Sequence, residues 1–164
     1  MPETGEQGTG SRSFVIRRAQ SADVPAISSL DARITGMRKP DYWQDMFARY
    51  GERPGRFFLV AENEGRGLVG FIIGEVRAWE FGSPPSGWVF ALGVDPAVRL
   101  RKVGSQLFEA ICACLAKAGV DTVRTMLARD DNLNMAFFRS QGMMGGPFIQ
   151  LEMPLDQPRC GAEG

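Results

Sequence analysis

Residues Trp88 to Ala118 constrain the fold of this chain more than any other stretch, because a strand, a basic turn and a helix follow one another without a gap. The strand is Trp88-Val89-Phe90-Ala91-Leu92-Gly93-Val94, an unbroken apolar run that reads as buried on both faces. Leu107, Ile111 and Leu115 then recur at helical spacing. Between them lie Asp95-Pro96-Ala97-Val98 and Arg99-Leu100-Arg101-Lys102-Val103-Gly104-Ser105. A helix N-terminus presents its amide N–H groups to an anion, and cations gathered there without one cost about 0.3–1 kcal/mol each. The arrangement therefore reads as a seat for a diphosphate, with a solvated helix-start face as the alternative.

The surrounding chain supplies further elements in a definite order. Phe14 to Arg17 forms a short strand. Ser21 offers an N-cap for a helix whose apolar stripe is Val24, Ile27, Leu30 and Ile34. Trp43, Met46, Phe47 and Tyr50 mark a second helix from about Asp41 to Tyr50. Phe57 to Glu62 and Leu68 to Trp79 read as a hairpin around Asn63-Glu64-Gly65-Arg66-Gly67, and Phe81 to Gly87, with Pro84-Pro85, as a loop. A strand over Thr122 to Ala128, a helix from about Leu133 to Gln141 closed by Gly142, and a last strand over Phe148 to Leu155 complete the pattern. The expected class is α/β (α+β), a single domain with a mixed central sheet of about six to seven strands and helices on both faces. Residues 1–12 read as a disordered N-terminal tail, 13–156 as the domain and 157–164 as a C-terminal tail.

Composition removes whole classes of function. Lysine plus arginine and aspartate plus glutamate each number 19 in 164 residues, so no overall field argues for nucleic acid or an anionic membrane. No apolar run approaches ~20 residues, and Met1 to Arg12 lacks the apolar centre of a signal peptide, so a soluble, cytoplasmic protein is expected. The chain has no histidine, which excludes an imidazole base, a Ser-His-Asp triad and a histidine-ligated metal. Cys112, Cys114 and Cys160 have neither zinc nor disulfide spacing and read as free thiols; no metal is expected.

Leu92, Val94 and Pro96, followed by Arg99, Gly104 and Ser105, resemble the coenzyme A loop of the GCN5-related N-acetyltransferases. Lys102 stands where that family usually has its first glycine, a position at which the backbone approaches closely or takes positive φ. Phe137-Phe138-Arg139-Ser140-Gln141-Gly142-Met143 resembles the family's last-helix motif, and the order of elements agrees from Phe14 to Leu155. The resemblance implies acetyl-CoA as co-substrate and a primary amine of a small molecule or protein as acceptor. It maps the pantetheine arm onto Leu92, Gly93 and Val94, and the diphosphate onto Arg99, Leu100, Arg101, Lys102, Val103, Gly104 and Ser105. Asp131, Asn134 and Phe138 fall where the family's last helix meets the coenzyme. Helix capping explains Asp131 equally well, whereas a cap does not require Asn134. Pairing of final strands between subunits, hence a homodimer, is common in such domains.

The family's acid and base positions carry no ionisable group here. Phe138 replaces a tyrosine, and Met126 and Trp88 occupy positions where other members place a glutamate. The remaining candidates are Glu75, Glu80, Tyr42 and Tyr50. For Glu75 the alternative is a strand carboxylate paired with Arg77, and for each tyrosine it is helix packing. Tyr42, Trp43, Trp79, Phe81 and Trp88 point to an acceptor wall that is partly apolar or cation-accepting. A non-catalytic acyl-CoA-binding module and an unrelated phosphate-binding α/β domain are the competing readings.

Overall fold

The computed structural model describes residues 14–155, apart from the side chains of residues 99–101. The chain forms two compact units that divide after Met126. The first holds a five-stranded sheet in the order β1-β2-β3-β4-β5, made of β1 (Phe14–Arg18), β2 (Arg56–Asn63), β3 (Gly67–Arg77), β4 (Ser86–Val94) and β5 (Val123–Arg124). β1 to β4 pair antiparallel, and β4 and β5 pair parallel. The helices of this unit are α1 (Val24–Thr35), α2 (Pro40–Tyr50) and α3 (Val103–Lys117).

One face of the sheet is covered by α1 and α2. Ile27 and Leu30 of α1 and Trp43, Met46 and Phe47 of α2 bury against Phe58, Val60, Phe71 and Ile73. The other face receives α3, which lies close because glycines meet it. A Cβ on Gly74 would stand 2.9 Å from Ile111, and one on Gly87 only 2.6 Å from Leu115. Odd positions of β3 from Phe71 to Arg77 therefore look toward α1 and α2, as the period of two requires. The helix expected to be capped by Ser21 starts differently. Ser21–Asp23 form a 3₁₀ turn first, in which Asp23 accepts the Gln20 N–H at 2.7 Å and a forked pair from Arg17 at 2.7 and 2.9 Å.

The second unit contains α4 (Asn132–Ser140), capped by the Asp131 carboxylate, which accepts from the Asn134 N–H at 3.1 Å. Gly142 closes it at φ 89°, the left-handed conformation expected of it. The strand expected over Phe148 to Leu155 does not form, and Ile149, Leu151 and Leu155 are exposed. Alternating apolar residues allow an extended chain, but a strand needs a ladder partner, and the sheet of the described residues records no pairing for this segment. The segment Thr122 to Ala128 likewise yields only the two residues of β5, so among the described residues the sheet has five strands rather than six to seven. Among the described residues no helix is long and apolar enough to cross a membrane.

Candidate active site

β4 changes partners along its length, and the site follows from that change. Its first part is held on both sides, by β3 and through Gly87↔Val123 and Trp88↔Arg124 by β5. Beyond Trp88 the parallel ladder stops, and Thr125 Oγ1 donates to the Val89 carbonyl at 2.8 Å as a last tie. Leu92, Gly93 and Val94 then pair with Ile72, Phe71 and Gly70 of β3 alone. Among the described residues their other edge has no ladder partner, and an unpaired strand edge is the kind that an extended ligand can pair with. A bulge sits where the two regimes meet: Ala91 pairs with Ile73 and Val89 with Gly74, so Phe90 is the extra residue. Bulges re-aim side chains and favour such places. Gly93 itself is fixed by packing, since a Cβ there would lie 2.5 Å from the Phe71 ring.

The turn after β4 is a 3₁₀ segment over Pro96–Arg101, begun by Asp95, whose side chain accepts from the Ala97 N–H at 2.9 Å and pairs with Arg33 at 3.1 Å. Lys102 then stands at φ 60°, ψ 19°, immediately before α3. The backbone makes the left-handed turn that the missing glycine would have made without strain. Val103 is buried, and Gly104 and Ser105 lie in the first turn of α3. The side chains of Arg99, Leu100 and Arg101, to which a diphosphate role was assigned, lie outside the described residues.

The candidate catalytic residues separate clearly. Tyr42 is exposed, with its ring against Trp43 and the Lys39 ammonium 5.4 Å from its centroid. Tyr50 is the tyrosine placed on β4, its ring 4.9 Å from that of Phe90 at the bulge. Glu80 is exposed in a turn flanked by Trp79 and Phe81, both with positive φ. Glu75 is engaged: Arg77 Nε lies 2.9 Å from one oxygen and Arg56 Nε 3.8 Å from the other. In the second unit, Asn134 turns its side-chain amide onto Asp131 at 2.7 Å and so takes part in the cap. Phe138 is buried with its ring 5.1 Å from Phe137, and Met126 is exposed. Burial pushes the Cys112 thiol up.

The register brings two residues that the sequence did not flag, Arg56 and Arg124, into line with Glu75 and Trp88, which it did. Arg56, Glu75, Trp88 and Arg124 lie opposite one another on β2, β3, β4 and β5. Arg77 lays its guanidinium 4.6 Å from the Trp88 ring centroid, and Arg56 lies 5.2 Å from that of Tyr50. Arg124 Nη1 donates to Ser83 Oγ at 3.1 Å. Within the expected aromatic wall, Arg77 already covers Trp88 and Lys39 lies over Tyr42, whereas Trp79 and Phe81 are exposed. Trp43 is no part of it, being buried in the core. The available signal was the spacing Glu75-x-Arg77 on one strand face, combined with the hairpin register that sets Arg56 opposite Glu75.

Residues 24–143 match the acetyltransferase (GNAT) family. This chain belongs to that family. An L-2,4-diaminobutyric acid acetyltransferase from Nocardia farcinica is 34% identical over 80 residues, which are 49% of this chain and 39% of that protein. The aminoglycoside N-acetyltransferase AAC(6')-Iy, solved in complex with CoA, superimposes with a TM-score of 0.76 at 15% identity, over 87% of this chain and 95% of that one. The aminoglycoside 6'-N-acetyltransferase AAC(6')-Ih from Acinetobacter baumannii gives 0.75 at 12% identity, over 87% and 99%. The two structures share this fold, a mixed sheet flanked by helices.

Proposed function

We propose that this acetyltransferase-family chain moves an acetyl group from acetyl-CoA to a primary amine. The observation that carries the reading is the parting of β4 from β5 after Trp88, with a bulge at Phe90. An extended pantetheine arm would pair with the open edge of Leu92, Gly93 and Val94, and the diphosphate would lie at the turn ending in Lys102 and the start of α3. The residues present fit that ligand, since the edge is unpaired where it is needed and Lys102 adds a cation.

In the transfer the neutral amine nitrogen attacks the thioester carbonyl, a C–N bond forms, the C–S bond breaks, the nitrogen gives up one proton to water and the leaving thiolate takes one. The chain's contribution is positioning, which alone supplies a large part of such a barrier. Glu75 already has a guanidinium beside each of its oxygens, so its role is to order Arg56 and Arg77 rather than to collect the amine's proton. Tyr50 is the phenol placed beside the bulge and is the donor candidate for the thiolate. Titration calorimetry with acetyl-CoA and a thiol-release assay with an amine panel test the reading. No binding at millimolar acetyl-CoA overturns it, and a loss of rate in Tyr50→Phe but not in Tyr42→Phe supports the assignment of Tyr50.

A further inference from the structure

The layer across the start of β4 carries more cation than anion. Among the described residues, the guanidinium groups of Arg56 and Arg77 both turn to one carboxylate, Glu75. Arg77 spends its Nε on Glu75 and its face on Trp88, and neither Nη atom makes a hydrogen bond among the described residues. Its side chain keeps 34% of its surface open. Beneath it, the Trp88 indole Nε1 is buried and has no hydrogen-bond partner. Buried polar groups are nearly always paired, and an orphan is a cost that an acceptor oxygen would remove. A planar guanidinium with a free edge is the side chain best matched to a carboxylate.

We infer that the acceptor amine carries a carboxylate, which Arg77 recognises beside Trp88, so that the substrate is an amino acid with a side-chain amine rather than a polyamine or an aminosugar. The inference rests on the acetyl-transfer reading and names the acceptor of that same site. Trp88 and the bulge residue Phe90 are two positions apart on β4, roughly 7 Å along a strand. That spacing suits a short chain between the carboxylate and the attacking amine. A polycation would meet the arginines with like charge, which costs affinity and steers it away.

Matched pairs that differ only by the carboxylate provide the test: L-2,4-diaminobutyrate against 1,3-diaminopropane, L-ornithine against 1,4-diaminobutane, and L-lysine against 1,5-diaminopentane. The wild-type enzyme should favour at least one amino acid over its partner by about tenfold or more in kcat/KM. In Arg77→Ala that ratio should fall by about 10- to 100-fold, mainly through KM, with part of it restored in Arg77→Lys. A thermal melt of each variant shows that it is folded. Equal or better use of the decarboxylated partners overturns the inference while leaving acetyl transfer standing. Turnover of neither set by protein that binds acetyl-CoA overturns it as well. Failure to bind acetyl-CoA overturns the acetyl-transfer reading itself.

Discussion

Two clusters on the same side of the sheet are built from the same kinds of residue and are arranged differently. At the junction of α1 and α2, the Asp31 carboxylate receives the Trp43 indole N–H at 3.0 Å and the Lys39 ammonium at 3.0 Å. One anion meets one cation there, the indole is satisfied, and Asp31 is buried. Across the start of β4, the one Glu75 carboxylate meets two guanidinium groups, those of Arg56 and Arg77, and the Trp88 indole N–H is unpartnered. A balanced set of partners holds a fold together, whereas an unbalanced one is complete only with something added. The first cluster pins α2 to α1, and the second is where a ligand anion would complete the set.

The largest effect that can break this comparison is on the closed cluster. Asp31→Ala leaves the Trp43 N–H buried without an acceptor and Lys39 without its anion, and removing one partner of a buried pair costs about 3 kcal/mol. Urea unfolding of the variant should show a loss of that size, and a loss below about 1 kcal/mol would remove the distinction between the clusters. The two tryptophans sharpen it further. Trp43→Phe and Trp88→Phe delete similar ring area, but only the first breaks a hydrogen bond to a carboxylate. Trp43→Phe should cost about 2 kcal/mol and Trp88→Phe about 1 kcal/mol or less, measured by the same unfolding curves.

A third carboxylate gives the scale for an ion pair nearer the surface. Arg17, by its forked hydrogen bond, holds Asp23 below the usual carboxylate range, although partial burial opposes the shift. A depressed folded-state value stabilises the fold fully above the unfolded value of about 3.9, and the contribution fades as pH falls through the folded value. Wild-type protein taken from pH 6 to pH 2.5 should therefore lose on the order of 1 kcal/mol more than Asp23→Asn. Parallel pH titrations of the melting temperature would show it, and superimposable curves for the two proteins would assign the Arg17 pair no role in stability.

How much of this was legible in the sequence depended on how local each signal was. The strand, turn and helix of Trp88 to Ala118 are contiguous, and their order, the hairpin and both early helices followed from periodicity and turn residues. The left-handed backbone at Lys102 was legible as well, because the family motif marks that position and a lysine does not relax it. The row Arg56, Glu75, Trp88 and Arg124 was not, because it spans four strands and exists only once the register is set. Phe148 to Leu155 misled for the converse reason: its alternation is local, but strand formation depends on a partner. Asn134 looked surplus to a cap because side-chain capping is usually counted one residue at a time, and here its amide returns to the Asp131 carboxylate that caps the helix.

The smallest effect concerns Lys102, which extends the same comparison to the coenzyme turn. Its left-handed backbone costs about 1 kcal/mol for a residue with a Cβ, and its exposed side chain makes no hydrogen bond or ion pair among the described residues to offset that. Lys102→Gly relieves the strain, partly at the expense of unfolded-state entropy, and should raise stability by about 0.5 kcal/mol. Lys102→Ala keeps the strain and should not. If the lysine's charge serves the diphosphate, both variants should bind acetyl-CoA about 2- to 5-fold more weakly at low salt, and the gap from wild type should close as salt rises. Calorimetry at two ionic strengths separates the two contributions. A glycine variant that is more stable and binds as tightly as wild type would show that the turn's backbone, and not this side chain, holds the coenzyme.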